Sequence, residues 1–126
     1  MMQKRVLLVD DEYMVRKTLQ DFLEDEGFVV SAAESGEDGL ALLREGPFDY
    51  CIVDMRLPGM DGNDFILSAH GMDPALRFLV YTGSVDYVPP ARFLGLGISR
   101  DHIFHKPIAD MRTLSDALRA LDREEA

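Results

Sequence analysis

Five short apolar runs alternate along the chain with longer segments whose apolar residues recur at helical spacing. The runs cover residues 4–9, 28–32, 50–53, 77–81 and 102–105, and their β-branched and aromatic content is typical of strands. The longer segments carry apolar stripes, such as the one formed by Met14, Val15, Thr18, Leu19, Phe22 and Leu23. Strands that alternate with helices predict right-handed crossovers and a parallel five-stranded sheet with helices on both faces.

Cap and turn residues predict where the helices begin and end. We expect helices over about residues 12–26, 35–46, 61–70, 90–96 and 110–123. The fourth of these is short, because Pro89 and Pro90 can open a helix but cannot lie inside one. The polar residues 122–126 are expected to fray.

Length and composition indicate a single folded domain. The 126 residues are 47% hydrophobic and 29% charged, which is ordinary for a globular protein. A formal net charge of −10 argues against a nucleic-acid-binding surface, because phosphate contacts require clustered lysines and arginines. The apolar runs fall far short of the ~18 residues of a membrane span and no signal peptide is recognisable, so we expect a cytoplasmic protein. The single cysteine, Cys51, lies within a strand and is interpreted as a core residue.

Polar side chains stand at the ends of four of the predicted strands. Asp10 and Asp11 follow the first strand, Asp54 follows the third, Thr82 follows the fourth and Lys106 follows the fifth. The carboxyl ends of parallel strands meet at one edge of the sheet, where α/β proteins bind their ligands. An aspartate before a Pro-Gly turn is also a common turn residue in its own right. The joint arrangement of the five residues favours a shared site.

The residue types in this arrangement favour metal-assisted phosphoryl chemistry. Unit charges ~4 Å apart repel by about 4 kcal/mol at a surface-like dielectric, so grouped aspartates require a proton or a cation. Oxygen ligands without a nearby cysteine or histidine cluster favour Mg²⁺ or Mn²⁺, and Mg²⁺ leaves room for a phosphate. Lys106 supplies a positive charge for that phosphate and Thr82 supplies a hydroxyl group. Asp54 is then a candidate acceptor of a phosphoryl group.

These positions resemble the receiver domain of two-component response regulators, and the resemblance covers essentially the whole chain. It is carried by Asp10-Asp11, by Asp54 in an Asp-x-x-Leu-Pro-Gly-Met-Asp-Gly stretch, by Thr82-Gly83 and by Lys106-Pro107, each at a strand end. The resemblance implies a doubly wound, flavodoxin-like three-layer sandwich with strand order 2-1-3-4-5. It also implies one receiver domain over residues 1–126, with no output domain in this chain.

The resemblance assigns the phosphoacceptor and the metal ligands. Asp54 accepts the phosphoryl group from a sensor histidine kinase or a phosphotransfer protein and becomes an aspartyl phosphate. Mg²⁺, with Mn²⁺ as a substitute, is held by Asp10, Asp11, Asp54 and the backbone carbonyl of Arg56. The protein is then a signalling switch that catalyses only its own phosphorylation and dephosphorylation, and is not an enzyme in the usual sense.

The resemblance also describes how the phosphoryl group is held and how the signal leaves. Lys106 binds the phosphoryl group, Thr82 turns towards it, and the Lys106-Pro107 peptide bond is cis. A downstream effector protein or a fused output domain reads the conformational change. No direct contact of this domain with nucleic acid or membrane is expected. Arg56 and Ser84 border the phosphoryl position and are expected to influence hydrolysis of the phosphoryl group, and Gly83 is a further candidate site residue.

The sequence departs from this family in the region where the signal normally leaves. Receivers usually carry a tyrosine or phenylalanine three residues before the lysine, but Ile103 occupies that position here. Phe104 is one residue later, so by strand alternation it faces the opposite side of the sheet. Residues 85–105 contain Pro89-Pro90 and an extended loop, which predicts an atypical fourth helix and a reshaped output face.

Two alternative functions remain open from the sequence. A phosphate-independent protein-interaction module, similar to a pseudo-receiver, would keep the site without the switch. A metal-dependent phosphatase with an aspartyl-phosphate intermediate would need a second acid two residues after Asp54, where Arg56 stands. Partner binding that is unchanged in Asp54→Ala would favour the first alternative, and multiple turnover of a phosphate ester would favour the second.

Overall fold

A five-stranded parallel sheet forms the centre of the fold in the computed structural model, which describes residues 3–124. Its strands are β1 Arg5–Val9, β2 Val29–Ala33, β3 Tyr50–Val53, β4 Arg77–Thr82 and β5 Ile103–His105. The strand order is β2-β1-β3-β4-β5, and each neighbouring pair is parallel. The predicted fold class and strand order are therefore confirmed.

Within residues 3–124, four α-helices cover the sheet, where the pattern predicts five. They are α1 Tyr13–Asp25, α2 Gly36–Glu45, α3 Gly62–Met72 and α4 Arg112–Glu124. Residues 122–124, which were expected to fray, continue helix α4, and residues 125 and 126 of that prediction lie outside the described residues. No helix within residues 3–124 is long and apolar enough to cross a bilayer.

The fourth expected helix is a 3₁₀-helix, Ala91–Leu96, and a second short 3₁₀-helix, Arg100–His102, follows it. Pro90 stands immediately before the first one, and Gly97 ends it with a left-handed φ of 82°. A six-residue segment between a proline and a left-handed glycine leaves little room for the wider turns of an α-helix. Phe93, which is fully buried, anchors this segment to the core. The prediction of a short helix is right in place and wrong in type.

Strand alternation divides the core into two layers. One layer contains Leu7, Cys51 and Phe78 together with residues of α2 and α3, and the other contains Leu8, Ile52 and residues of α1 and α4. All four residues of β3 are buried, as expected for a central parallel strand. Ile103 packs against the first layer and Phe104 against the second, so these neighbours face opposite sides as predicted. Burial also raises the pKa of the Cys51 thiol, in keeping with a core residue.

The backbone hydrogen bonds of the sheet continue one residue beyond three of the strands. The amide of Asp10 donates to the carbonyl of Ala33 at 3.1 Å, and the amide of Asp54 donates to that of Val9 at 2.9 Å. The amide of Lys106 likewise donates to the carbonyl of Thr82 at 2.8 Å. The backbone of each polar residue that follows these strands is therefore held in register with the sheet.

Candidate functional site

Four carboxylates meet at the carboxyl edge of the sheet. Asp10, Asp11, Glu12 and Asp54 each offer one oxygen, and these oxygens lie within 4.8 Å of one another. Asp10 and Asp54 are buried, with exposed fractions of 6% and 4%, whereas Asp11 and Glu12 are exposed. The aspartates that the sequence predicted at the ends of β1 and β3 are thus brought together in one cluster.

The Lys106 ammonium group lies inside this cluster. Its Nζ is 2.7 Å from Asp10 Oδ2, 2.8 Å from Glu12 Oε1 and 2.9 Å from Asp54 Oδ2. The Lys106 side chain is only 10% exposed, and the Lys106-Pro107 peptide bond that follows is cis. An ammonium group has three N–H donors, so the three carboxylates occupy its full capacity.

Charge is unbalanced in this arrangement, since four carboxylates face one ammonium. Burial raises the pKa of Asp10 above the usual aspartate range, and the hydrogen bond from Lys106 opposes that shift without cancelling it. Burial lowers the pKa of Lys106, but hydrogen bonds to Asp10, Glu12 and Asp54 outweigh it and raise the pKa above the usual lysine value. An all-oxygen cluster with this excess of negative charge fits a hard divalent cation such as Mg²⁺.

The turn after Asp54 packs closely against the start of α3. The amide of Arg56 donates to Asp54 Oδ1 at 3.2 Å, and the amide of Gly62 donates to the carbonyl of Met55 at 3.1 Å. A Cβ atom at position 62 would lie 2.5 Å from the Asp54 carbonyl oxygen and 2.6 Å from the Met55 Cα. Both of these neighbours are backbone atoms, so Gly62 allows an approach that other residues would prevent.

The turns after β3 and β4 are joined across the site by side chains. Arg56 Nε donates to Ser84 Oγ at 2.6 Å, and the amide of Ser84 donates to Thr82 Oγ1 at 3.2 Å. Thr82 is fully buried and Gly83 is exposed. Arg56 and Thr82 are therefore joined through Ser84 in one hydrogen-bonded chain.

Three residues at the site were missed by the sequence reasoning. Glu12 directly follows the Asp10-Asp11 pair, so its negative charge next to two predicted metal ligands was the signal that could have identified it as a site residue. Arg16, one helical turn further on, donates from Nη1 to the backbone carbonyl of Asp10 at 2.8 Å. The ring centroid of Tyr81 lies 5.7 Å from Lys106 Nζ. The Arg16 and Tyr81 contacts depend on how α1 and β4 pack against the site, and the sequence pattern does not predict that packing.

Ile103, three residues before Lys106, lines a separate cavity of about 210 Å³. The cavity is also lined by Tyr87, Val88, Pro89, Arg100 and His105. Tyr87 is held in this region by its hydroxyl, which donates to Asn63 Oδ1 at 2.7 Å. The position expected to carry an aromatic side chain thus has an aliphatic one beside open space.

Sheet order and site together define an α/β domain of the flavodoxin-like class with an acidic, lysine-containing site at the switch point of the sheet. Residues 6–119 match the family model described as the response regulator receiver domain. The chain therefore belongs to the response regulator receiver family, as the resemblance implied.

Individual relatives agree with this assignment. The chain is 30% identical over 121 residues to sporulation initiation phosphotransferase F of Bacillus subtilis, covering 94% of both proteins. It is 36% identical over 113 residues to a response regulator receiver protein of Anaeromyxobacter, covering 88% of this chain and 46% of that protein. It thus spans about half the length of some of the relatives it matches.

A solved structure supports the same fold. The CheY-like receiver domain protein of Methanospirillum hungatei is 29% identical and superposes with a TM-score of 0.83 over 98% of both chains. The chain is thus a signalling receiver domain, homologous to two-component phosphotransfer proteins.

Proposed function

We propose that this receiver domain is a switch that accepts a phosphoryl group on Asp54 from a phosphohistidine, in a reaction that requires Mg²⁺. The observation that carries the proposal is the position of Asp54 Oδ2, which lies 2.9 Å from Lys106 Nζ within a carboxylate cluster. A nucleophilic carboxylate, a cation site and a fixed ammonium group are the components that phosphoryl transfer needs. The relative named as a phosphotransferase, which has nearly the same length, supports this role.

Asp10, Asp11 and Asp54 would hold the metal ion, and Mn²⁺ is a chemically reasonable substitute. The backbone carbonyl of Arg56 remains a predicted ligand. When bound, the ion supplies charge neutralisation for the anionic phosphoryl donor and the acceptor carboxylate. It would also relieve the repulsion among carboxylates of which two are buried.

The chain's own residues would carry the transfer itself. A carboxylate oxygen of Asp54 attacks phosphorus, the bond from phosphorus to the histidine nitrogen breaks, and the released electron pair stays on the imidazole, which takes up a proton. Lys106 binds an oxygen of the transferred group through a donor that now serves the carboxylates. The Thr82 hydroxyl still has its own hydrogen to donate, because its oxygen accepts from Ser84 in the described state. These steps act on the domain itself and turn over no external substrate.

The signal would leave through the segment that follows Thr82. A movement of Thr82 towards the phosphoryl group would displace Ser84, which is hydrogen-bonded to Thr82. Ser84 is also hydrogen-bonded to Arg56 in the turn after β3. The amide of Tyr87 donates to the carbonyl of Ser84, so the movement would continue towards the 3₁₀-helix. A downstream protein or a fused output domain that binds this face would distinguish the two states.

An apolar groove next to the site supports a protein as the phosphoryl donor. A cavity of about 310 Å³ opens between α1 and the chain that follows Lys106, and it is lined by Met14, Val15, Thr18, Leu19, Tyr81, Pro107, Ile108 and Met111. Met14 is 68% exposed at its edge. A sensor histidine kinase or phosphotransfer protein that presents a phosphohistidine to Asp54 would have an apolar surface to pack against.

Incubation with acetyl phosphate and Mg²⁺, followed by intact-mass measurement, tests the proposal. We expect one phosphoryl group to be added to the unaltered protein, and none to Asp54→Ala or in the presence of a chelator, because Asp54 is the acceptor and the cation is required. Asp64→Ala is a suitable control, since Asp64 is an exposed acid in the first turn of α3. No mass gain, or an equal gain in Asp54→Ala, would contradict the proposal.

Asp10 is expected to reduce stability in the absence of metal. Burial raises the pKa of Asp10, so the folded state holds this proton more tightly than the unfolded state does, and stability falls as the pH rises above the unfolded value. We expect Asp10→Asn to raise the free energy of unfolding by about 0.5–2 kcal/mol without metal, a common gain when a functional charge is removed. Urea denaturation with and without Mg²⁺ measures this. The variant should also gain less stability from Mg²⁺ than the unaltered protein, and a loss of stability without metal would contradict the prediction.

A phosphate-independent interaction module remains the second candidate, because Ile103 and the 3₁₀-helix alter the region that normally carries the signal. In that case Asp54→Ala would bind the downstream partner as well as the unaltered protein does. A phosphatase is less well supported, because the residue two positions after Asp54 is Arg56, whose side chain is bonded to Ser84.

A further inference from the structure

Glu12 occupies the N-cap of α1 but does not use its side chain as a cap. Its backbone is extended, with φ −84° and ψ 111°, and the side chain makes no capping hydrogen bond. The carboxylate points instead to Lys106 Nζ at 2.8 Å. Glutamate is a poor N-cap residue, so α1 gains no cap stabilisation from this side chain.

The three acceptors of Lys106 are not equivalent. The side chains of Asp10 and Asp54 are 9% and 4% exposed, whereas that of Glu12 is 59% exposed. All three ammonium donors are occupied, so a phosphoryl oxygen on Asp54 can bind Lys106 only where one of these acceptors gives way. Glu12 is a flexible surface side chain, and it remains able to compete for the ammonium group once the phosphoryl group has arrived.

Glu12 also changes the charge of the site. The four carboxylates, against Lys106 and a divalent cation, leave one unbalanced negative charge, and the site would be neutral without Glu12. A phosphoryl donor such as acetyl phosphate is an anion. Glu12 therefore opposes the reaction both by repulsion and by occupying a donor of Lys106.

We infer that Glu12 is a positioning residue that competes with the phosphoryl group on Asp54 for the Lys106 ammonium, and thereby slows phosphorylation. The inference rests on the proposed function, since it concerns the rate of transfer to Asp54. Glu12 acts through Lys106 and does not itself contact the reacting atoms.

The test compares Glu12→Gln, Glu12→Asp and the unaltered protein with acetyl phosphate and Mg²⁺. Glutamine removes the charge at nearly equal size, whereas aspartate keeps the charge on a chain that is one methylene shorter. We expect both variants to be phosphorylated about two- to fivefold faster, the range for loss of one partly exposed charged contact. Both should also bind beryllofluoride, a phosphoryl mimic, more tightly by a similar factor.

Glu24→Gln is the matched control, because Glu24 is an exposed acid of the same helix about 18 Å further along its axis. It should leave the rate and the beryllofluoride affinity unchanged. If Glu12→Gln is faster but Glu12→Asp equals the unaltered protein, charge alone acts and positioning through Lys106 is refuted. If neither Glu12 variant differs from the unaltered protein, the inference is also refuted. Failure of every protein, including the unaltered one, to take up phosphate would instead refute the proposed function.

Discussion

Replacement of Lys106 with methionine is expected to lower the free energy of unfolding by about 3 kcal/mol in the absence of divalent cations, as for the removal of one partner from a buried ion pair. The substitution leaves the buried Asp10 and Asp54 carboxylates without the ammonium that now lies 2.7 Å and 2.9 Å from them. Mg²⁺ should recover much of the loss, because the same carboxylates are the proposed ligands of the ion. Urea denaturation with and without Mg²⁺ measures both effects.

The loss should also depend on pH. The pKa of Lys106 is raised in the folded state, so its stabilisation is complete below the ordinary lysine pKa and is lost only as the pH rises through the folded value. The difference between the two proteins should therefore be constant around neutral pH and shrink in acid, where Asp10, whose pKa burial raises, takes up a proton. Lys17→Met is the control, since Lys17 forms an exposed pair with Asp21 at 3.1 Å and should cost little. An equal loss in both variants would contradict the prediction.

Gly62→Ala is expected to destabilise the protein by about 1–3 kcal/mol, the usual cost of overpacking, and to impair Mg²⁺ binding as well. The added methyl group would lie 2.5 Å from the Asp54 carbonyl oxygen, so the backbone of Asp54, the proposed phosphoacceptor, must move. Thermal unfolding measures the stability, and the gain in stability on adding Mg²⁺ measures how well the site binds the ion.

Gly71→Ala in the same helix provides a control with the opposite sign. A Cβ atom at position 71 would meet no heavy atom within 4 Å, and alanine favours helix over glycine by about 0.5–1 kcal/mol. We therefore expect Gly71→Ala to be neutral or more stable than the unaltered protein. Similar effects of the two substitutions would show that the contact at Gly62 is not the cause.

The sequence predicted those features that depend on the ends of strands. Asp10, Asp54 and Lys106 each follow an apolar run, and parallel strands bring such positions to one edge whatever the details of packing. The same logic placed Ile103 and Phe104 on opposite faces. The convergence of Asp10, Asp54 and Lys106 on one edge of the sheet thus followed from periodicity and chain order alone.

The features that were not predicted depend on distances between elements far apart in the chain. The Arg56 contact with Ser84 and the Lys106 contact with Glu12 require the relative positions of turns and of α1, which local patterns do not contain. The tight approach of Gly62 to Asp54 is equally invisible in a list of residues. The 3₁₀ form of the fourth helix depends on Pro90 and Gly97 together, whereas the prediction of a short helix rests on Pro89-Pro90 alone.

The hydrogen bonds that extend the sheet beyond its strands determine how the site can open. The amides of Asp10, Asp54 and Lys106 donate to carbonyls of neighbouring β-strands or strand ends, so their exchange with solvent requires separation of strands and not the movement of a loop. The Thr82 hydroxyl differs from these amides, because it accepts its hydrogen bond from the amide of Ser84 in the turn that follows β4. We therefore expect the amides of Asp10, Asp54 and Lys106 to exchange with solvent more slowly than the amides of the turns that follow them.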